Sequence, residues 1–366
     1  MTPVELSRTV LHAVRRAVDA GELRVAVPVR AVVGPPGPGG RGDYATNIAL
    51  QLARPAGQPP LRVAEVLQPH LARAEGVTGV EITGPGFLNI SLDRSAAADL
   101  VQRIRREGLA YGHTDALAGQ VFELRVPYEV RAEVLADALA RIIASQGGRV
   151  AIEHRGRTAG PGPLASPATP ARLDLRPVPA PEDPAPLGPD AARWALLHPA
   201  PHDRPRITAD HLVQRESNPV FRVRYAHART RAASRNAADL GFTADVDVDD
   251  VPQALHPASR PEPHATSTPV STPAAPHLVA LLADHPRVLG TVGVLPRAEG
   301  VAAVSRLTRH LLAVADATLV LLPDVLPRGE EKPSAAHRAR LALAEAAGTV
   351  LAGGLSLLGI DAPEHL

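Results

Sequence analysis

The chain has 366 residues, no cysteine and a formal net charge of +1 at pH 7. This length allows two or three domains, each with a hydrophobic core of its own. The absence of cysteine excludes disulfides, thiolate zinc sites and thiol nucleophiles. The near-zero net charge means that a nucleic-acid site would have to be a local basic patch.

The first residues, Met1-Thr-Pro-Val-Glu-Leu6, lack the basic and then apolar pattern of a secretory signal, and no apolar run approaches the length of a membrane span. We therefore expect a cytoplasmic protein without a membrane partner. His198 and His202 have the i, i+4 spacing of a helical metal site, but two prolines between them prevent that helix. We expect no metal site.

Residues 1–119 are predicted to form a small α+β domain with an antiparallel sheet, because helical and strand patterns alternate along them. The predicted helices are Val4–Asp19, Tyr44–Ala53, Pro59–Ala74 and Ser95–Glu107. The predicted strands are Val29–Val33 and a strand–turn–strand pair within Val80–Leu92. Asp43 precedes the second helix and is suited to cap it.

Residues 120–154 are predicted to form a strand, a helix and a second strand, at Gln120–Val126, Glu129–Ser145 and Arg149–Glu153. This is one βαβ unit, which is too small for a complete doubly wound domain. Residues 155–189 follow with ten prolines, and that density predicts an extended linker without helix or interior strand.

Residues 190–366 are predicted to form an all-α helical bundle, interrupted by a proline-rich loop at residues 252–276. The predicted helices are Asp190–Leu197, Thr208–Arg215, Pro219–Leu240, His277–Asp284, Val301–Leu321 and Ser334–Leu358. The fold class is therefore multidomain α+β: a small α+β domain, a βαβ unit and a helical bundle.

Residues 215–235 carry six arginines and one acidic residue. A helix beginning near Asn218 would place some of the basic side chains on one stripe and the rest, with an aromatic ring, on another. The first stripe contains Arg224, His227, Arg231 and Arg235, and the second contains Arg222, Tyr225 and Arg229. Cations beside an aromatic ring suit a phosphate backbone with a base stacked nearby.

The segment Asn218-Pro-Val-Phe-Arg-Val-Arg-Tyr-Ala-His-Ala-Arg229 resembles the signature that opens the anticodon-binding domain of arginyl-tRNA synthetases. Gly42-Asp-Tyr-Ala-Thr-Asn-Ile-Ala-Leu-Gln-Leu-Ala53 resembles the N-terminal additional domain of that family, which contacts the elbow of the tRNA. Residues 190–197 and 350–364 resemble the start and the end of the anticodon-binding region. On this resemblance the βαβ unit is a truncated remnant of a Rossmann domain.

The resemblance implies tRNA as a partner. The residues expected to contact its phosphates or to stack on anticodon bases are Arg222, Arg224, Tyr225, Arg229 and Arg231. Tyr44 and Asn47 are expected to reach tRNA from the N-terminal domain, although Asn47 and Asp43 would serve equally well as helix caps.

Catalysis in this family requires a His-x-Gly-His motif and a Lys-Met-Ser-Lys-Ser-like loop, whose positive charge stabilises pyrophosphate. Asp137-Ala-Leu-Ala-Arg141 resembles the family's helix after the first motif, and counting back from it places the two histidines on Val126 and Glu129. The family's next arginine is retained as Arg131, but the sole lysine, Lys332, lies in the C-terminal block. No catalytic residue is therefore assigned.

These observations favour a non-catalytic arginyl-tRNA synthetase paralogue that binds tRNA, in particular an arginine-accepting one, and uses no cofactor. One alternative is a degenerate arginine–tRNA ligase, which would require ATP. Another is a protein-interaction module whose partner is a synthetase or a different protein.

Overall fold

The computed structural model describes residues 1–37, 40–93, 95–154, 171–245, 274–295 and 298–366. These residues form two compact units. The N-terminal unit is Met1–Leu100 and the C-terminal unit is Val101–Leu366. Together they form the predicted α+β arrangement of a small sheet-containing region and a C-terminal helical region. Residues 101–119, which the sequence assigned to the first domain, lie in the C-terminal unit, where Tyr111 donates its hydroxyl to the carbonyl of Leu282 at 3.1 Å.

The N-terminal unit contains the predicted antiparallel sheet, and its strands lie in the order β1-β2-β4-β3. A shared core, which includes Leu6, Ile48, Leu67 and Ile90, joins the sheet to three helices. Its elements in chain order are α1 (Pro3–Asp19), β1 (Val33–Gly34), β2 (Tyr44–Thr46), α2 (Ile48–Ala56), α3 (Pro60–Ala72), β3 (Val77–Thr83) and β4 (Phe87–Leu92).

The predicted helix Tyr44–Ala53 is wrong at its start. Tyr44–Thr46 is strand β2, in which Tyr44 pairs with Ile90, and the helix begins only at Ile48. Asp43 does not cap this helix, because its Oδ2 accepts a hydrogen bond from the amide of Leu92 at 2.7 Å. Pairing with β4 therefore places in the sheet three residues that helical periodicity alone assigned to the helix.

A three-stranded parallel sheet, in the order β6-β5-β7, opens the C-terminal unit. It follows α4 (Ser95–Glu107), which spans the boundary between the two units. The remaining elements of this part are β5 (Val121–Val126), α5 (Val130–Ser145), β6 (Arg149–His154) and β7 (Ala171–Asp174).

Strand β7 corrects the prediction that residues 155–189 form only an extended linker. Ala171-Arg-Leu-Asp174 contains no proline, so it can pair along β5 and form an edge of the sheet. The βαβ unit thus has a third strand that the proline density concealed. Residues 155–170 lie outside the described residues.

The rest of the C-terminal unit is helical. Its helices are α6 (Gly188–Leu197), α7 (Pro219–Asp239), α8 (Ala274–Gly290), α9 (Ala298–Val301), α10 (Ala303–Leu321) and α11 (Ala335–Leu358). The predicted helix Thr208–Arg215 is only a short 3₁₀ turn, Ala209–Leu212. The proline-rich loop predicted at 252–276 falls outside the described residues as far as residue 273, and residues 274–276 begin α8.

Helix α11 packs against both α7 and α10 in the bundle. An added Cβ at its Gly348 would clash with Oγ1 of Thr230 on α7, so only glycine allows the two helices to approach this closely. Contrary to the sequence analysis, α11 is long and apolar enough to cross a membrane, but 78% of its apolar window is buried within the structure. Such burial is the ordinary state of a core helix.

Candidate nucleic-acid interface

Helix α7, which carries the arginine-rich motif, begins at a fixed point because Asn218 and Pro219 define its first turn. The Oδ1 of Asn218 accepts a hydrogen bond from the amide of Phe221 at 3.5 Å, and its Nδ2 donates to the carbonyls of His211 and Val213, both at 2.9 Å. Proline at the first helical position loses no helical hydrogen bond. The Asn-Pro pair therefore holds the helix against the preceding chain.

Three of the five arginine and tyrosine residues predicted to bind tRNA on α7 are held in ion pairs within the protein. Each of these three arginines meets a carboxylate from a different part of the unit. The pairs are Arg222 with Asp316, Arg224 with Asp190 at 3.6 Å, and Arg231 with Glu364 at 2.9 Å. A phosphate would have to displace these carboxylates or share the cations with them.

The other two predicted residues, Tyr225 and Arg229, form a patch of two aromatic rings and one cation together with Phe221. Phe221 and Tyr225 stack with their ring centroids 5.4 Å apart. The guanidinium of Arg229 lies 5.8 Å from the centroid of Tyr225 and donates a hydrogen bond to the tyrosine hydroxyl at 3.3 Å. No salt bridge joins Arg229 to a carboxylate of the described residues, and its side chain is exposed. We call Phe221, Tyr225 and Arg229 the aromatic patch.

The predicted stripe of basic residues faces the end of the chain. His227, Arg231 and Arg235 all contact residues 363–365. Nδ1 of His227 lies 2.9 Å from the carbonyl oxygen of Pro363, and burial is the main cause of the lowered pKa of this histidine. His227 is therefore a packing residue rather than an exposed cation.

Tyr44 and Asn47 lie in the N-terminal unit. Tyr44 belongs to strand β2 and is only 8% exposed, so most of its surface contributes to the core. Asn47 precedes α2, but its side chain does not cap the helix and instead accepts a hydrogen bond from Gln51 at 3.2 Å. Asn47 keeps partial exposure, and its contact with tRNA stays a prediction.

The positions aligned with the catalytic histidines have structural roles. Val126 is fully buried at the end of β5. The carboxylate of Glu129 caps α5 by accepting hydrogen bonds from the amides of Arg131 and Ala132, and it also accepts one from Ala180 at 3.3 Å. Sequence reasoning aligned Glu129 with a catalytic histidine but did not identify it as a helix cap.

Arg131 is 1% exposed, and its guanidinium holds the chain that leads from α6 towards α7. Desolvation lowers its pKa, although the charges of Glu129 and Asp203 act in the opposite direction. The carbonyls that accept hydrogen bonds from it within 3.2 Å are those of Val178, Leu196, Pro199, Ala200 and Asp203. No local sequence signal indicates this role, because the acceptors are 47 to 72 residues away.

Asp137 connects α5 to α6 by pairing with Arg141 at 2.9 Å and with Arg193 at 2.7 Å. Burial by itself would raise the pKa of Asp137, but the hydrogen bonds and charges of the two arginines lower it below its usual value. The segment that resembles the synthetase helix is thus part of the internal structure of this unit.

No group of three metal-ligating side chains occurs among the residues that the structure describes. Lys332, the sole lysine, is exposed in the chain that precedes α11. Neither observation adds a catalytic residue to the site.

Comparison with protein families matches two separate parts of the chain. Residues 5–92 match the family described as the arginyl tRNA synthetase N terminal domain. Residues 223–366 match the DALR anticodon binding domain, which includes most of α7 and the whole bundle after it. The chain is related to the arginyl-tRNA synthetases. Neither family match extends over residues 93–222 of this synthetase-related chain, the part that contains β5, α5, β6 and β7.

Curated relatives and solved structures agree with this relationship. The chain is 43% identical over 167 residues to an arginine–tRNA ligase of Renibacterium salmoninarum and 38% identical over 174 residues to one of Frankia alni. These matches cover 42% and 44% of this chain but only 30% and 31% of the two ligases. The chain thus spans less than a third of the length of these relatives.

Two solved structures share the fold. The arginyl-tRNA synthetase of Thermus thermophilus aligns with a TM-score of 0.66 at 14% identity, covering all of both chains. That of Plasmodium falciparum aligns with a TM-score of 0.64 at 8% identity, covering 100% of this chain and 99% of the other.

Proposed function

We propose that this chain binds tRNA without aminoacylating it. The observation that carries the proposal is the aromatic patch, whose Tyr225 and Arg229 lie at the start of a domain matched as anticodon-binding. An exposed arginine beside stacked rings can contact a phosphate while a base stacks on the tyrosine. The absence of aminoacylation is supported by Val126 and Glu129, because a buried valine and a helix-capping carboxylate cannot replace two histidines.

The proposed test is a gel-shift titration of the purified protein against total tRNA and an arginine-accepting tRNA, at low and at physiological salt. We expect binding that prefers the arginine-accepting tRNA and weakens as salt rises, since phosphate contacts release counterions. Binding to neither RNA would contradict the proposal. Attachment of arginine to tRNA in the presence of ATP would instead establish the ligase alternative.

Tyr225 offers a specific variant for this test. Stacking of a base on an aromatic side chain contributes about 1–3 kcal/mol, so Tyr225→Ala should weaken tRNA binding roughly tenfold. Tyr225→Phe keeps the ring and loses only the hydroxyl that binds Arg229, so it should stay close to the wild-type affinity. Equal affinities for the alanine variant and the wild type would remove the aromatic patch from the interface.

Charge reversal at Arg224 or Arg231 is a less suitable test than a neutral substitution in the aromatic patch. Arg224→Glu would place a second carboxylate beside Asp190, and Arg231→Glu would do the same beside Glu364. Like charges at that separation destabilise the fold. Neutral substitutions in the aromatic patch separate RNA binding from folding more cleanly.

A further inference from the structure

A second surface of the C-terminal unit carries arginines that the anticodon motif does not include. It is a groove of about 590 Å³ between the chain that follows α6, the start of α7 and helix α10. Arg204 and Arg206 line it from the first of these segments, and Arg309 lines it from α10. We call this the arginine groove.

The arginines of the groove differ from Arg222, Arg224 and Arg231 of α7, which are held in ion pairs. Among the described residues, no salt bridge joins Arg204, Arg206 or Arg309 to a carboxylate, and all three side chains are exposed. Arg309 is nonetheless held in place, since its Nε donates to the carbonyl of Ser305 at 3.0 Å and one Nη donates to the hydroxyl of Ser305 at 3.2 Å. A bound anion would therefore meet one oriented cation, Arg309, and would break no ion pair between the three arginines and the described carboxylates.

The chain itself presents two of these cations. Arg204 and Arg206 are exposed, whereas Pro205 between them is buried. The two acidic residues of the groove already have partners: the side chain of Asp210 accepts a hydrogen bond from Thr208, and that of Asp203 lies 3.7 Å from His202.

The start of α7 adds a favourable potential. Ser217, Asn218 and Pro219 line the groove, and the N-terminus of a helix of 21 residues carries partial positive charge. The groove also lies at the same end of α7 as the aromatic patch. Phe221 and Tyr225 follow Asn218 by three and seven residues, or roughly 5 and 10 Å along the helix axis.

We propose that the arginine groove binds the phosphate backbone of the RNA whose base stacks on the aromatic patch. The proposal rests on the proposed tRNA-binding function and adds to it the surface that supplies the electrostatic contacts. Arginine suits this role because its planar guanidinium donates two parallel hydrogen bonds to one phosphate. The volume of the groove exceeds that of a single phosphate and accommodates a segment of backbone.

His198 also lines the groove, and its pKa depends on the charges there. Burial is the first cause of its lowered pKa, and the charges of Arg309 and His211 lower the pKa further. Its ring stacks on Trp194 with centroids 5.3 Å apart, and its Nδ1 lies 3.3 Å from the hydroxyl of Thr308. A phosphate beside Arg309 would offset the arginine charge, so anion binding should raise the pKa of His198.

The main experiment measures tRNA affinity by fluorescence anisotropy over a series of salt concentrations. The test variants are Arg204→Gln/Arg206→Gln and Arg309→Gln, and the control is Arg149→Gln, an exposed arginine on β6. For the double variant we expect at least a tenfold loss of affinity. We also expect the slope of log affinity against log salt to fall by about 1.4, at roughly 0.7 per phosphate contact.

Failure of the groove and failure of the proposed function give different results. If the wild type binds tRNA and Tyr225→Ala weakens it, but the groove variants keep the wild-type affinity and slope, the groove is not the backbone site. If the wild type binds no tRNA, the proposed function itself is wrong, and the groove falls with it. Thermal denaturation checks that the glutamine variants are folded.

A second measurement uses inorganic tripolyphosphate as the probe and NMR of the histidine side chains as the readout. We expect the probe to raise the pKa of His198 in the wild type and to raise it less in Arg309→Gln, which lacks one of the three groove arginines. An unchanged pKa of His198 in the wild type at saturating probe would overturn the groove as a phosphate site.

Discussion

The N-terminal parts of α5 and α7 both align with functional motifs of one family, and they differ in what their polar side chains bind. At α5, Glu129 caps the helix and Arg131 is buried among backbone carbonyls. At α7, Asn218 caps the helix in the same way, but Tyr225 and Arg229 remain accessible to solvent. The comparison teaches that a retained residue such as Arg131 can have a purely structural role, whereas α7 keeps groups that a ligand can reach.

The largest expected effect is at Arg131. Replacing it by methionine fills similar volume but leaves several buried carbonyls without donors, and each unsatisfied group costs about 1–3 kcal/mol. Arg131→Met should therefore lower the free energy of unfolding by more than about 3 kcal/mol, as measured by urea denaturation. Arg149→Met on β6 is the exposed control and should change stability little. A loss as small as that of the control would mean that the buried guanidinium does not organise the chain after α6.

Acid should act on the helical bundle, because two buried histidines lie in contact there. His285 and His310 stack with ring centroids 5.3 Å apart and are both buried, with Asp284 and Arg287 of α8 acting on His310. Burial lowers the pKa of both, that of His310 to about 4.

The sign of the pH effect follows from these shifts. Because the pKa of His310 is lower in the folded than in the unfolded protein, the unfolded state binds more protons between about pH 6.5 and pH 4. Stability is complete above this window and falls as the pH falls, by about 2 kcal/mol at pH 5 from His310 alone. Unfolding curves at pH 7 and pH 5 measure the loss, which should be smaller in His310→Gln. An equal loss in that variant would assign the acid sensitivity to other groups.

Asn218 tests whether α7 depends on its cap as α5 depends on Glu129. Asn218→Ala removes the acceptor for the amide of Phe221 and the donors to His211 and Val213, so we expect a loss of about 1–2 kcal/mol in thermal or urea unfolding. Asn218→Asp keeps the acceptor and loses the donors, so its stability should lie between the two. An unchanged stability in Asn218→Ala would show that packing alone fixes the start of α7.

The sequence predicted the parts of the fold that are governed by local patterns. The Asn-Pro start of α7 and the helical bundle are confirmed, because capping residues and helical periodicity act over a few positions. Strand β2 was missed since Tyr44–Thr46 acquires its conformation from pairing with β4, more than 40 residues away. Likewise, no pattern near Arg222 or Arg231 indicates that Asp316 and Glu364 neutralise them. The sequence thus predicted which residue types occur at the candidate site, but it did not predict which of the arginines are held in ion pairs within the protein.

The smallest expected effect is the release of an α7 arginine from its ion pair. Asp316→Asn removes the carboxylate partner of Arg222 without touching α7 itself. Since a partly exposed ion pair contributes only about 0–1 kcal/mol, the fold should tolerate the change, and the released arginine should strengthen tRNA binding about two- to threefold at low salt. Asp190 is less suitable for this purpose because it also accepts a hydrogen bond from the amide of Asp361.

Asp324→Asn is the matched control, since it frees Arg328, an arginine outside α7, by the same loss of one negative charge. Anisotropy titrations at low salt compare the two variants. Tighter tRNA binding by Asp316→Asn alone would place Arg222 in the interface and would show that its ion pair with Asp316 weakens its contact with tRNA. The same increase in both variants would reflect net charge, and it would leave the aromatic patch as the part of α7 that contacts RNA.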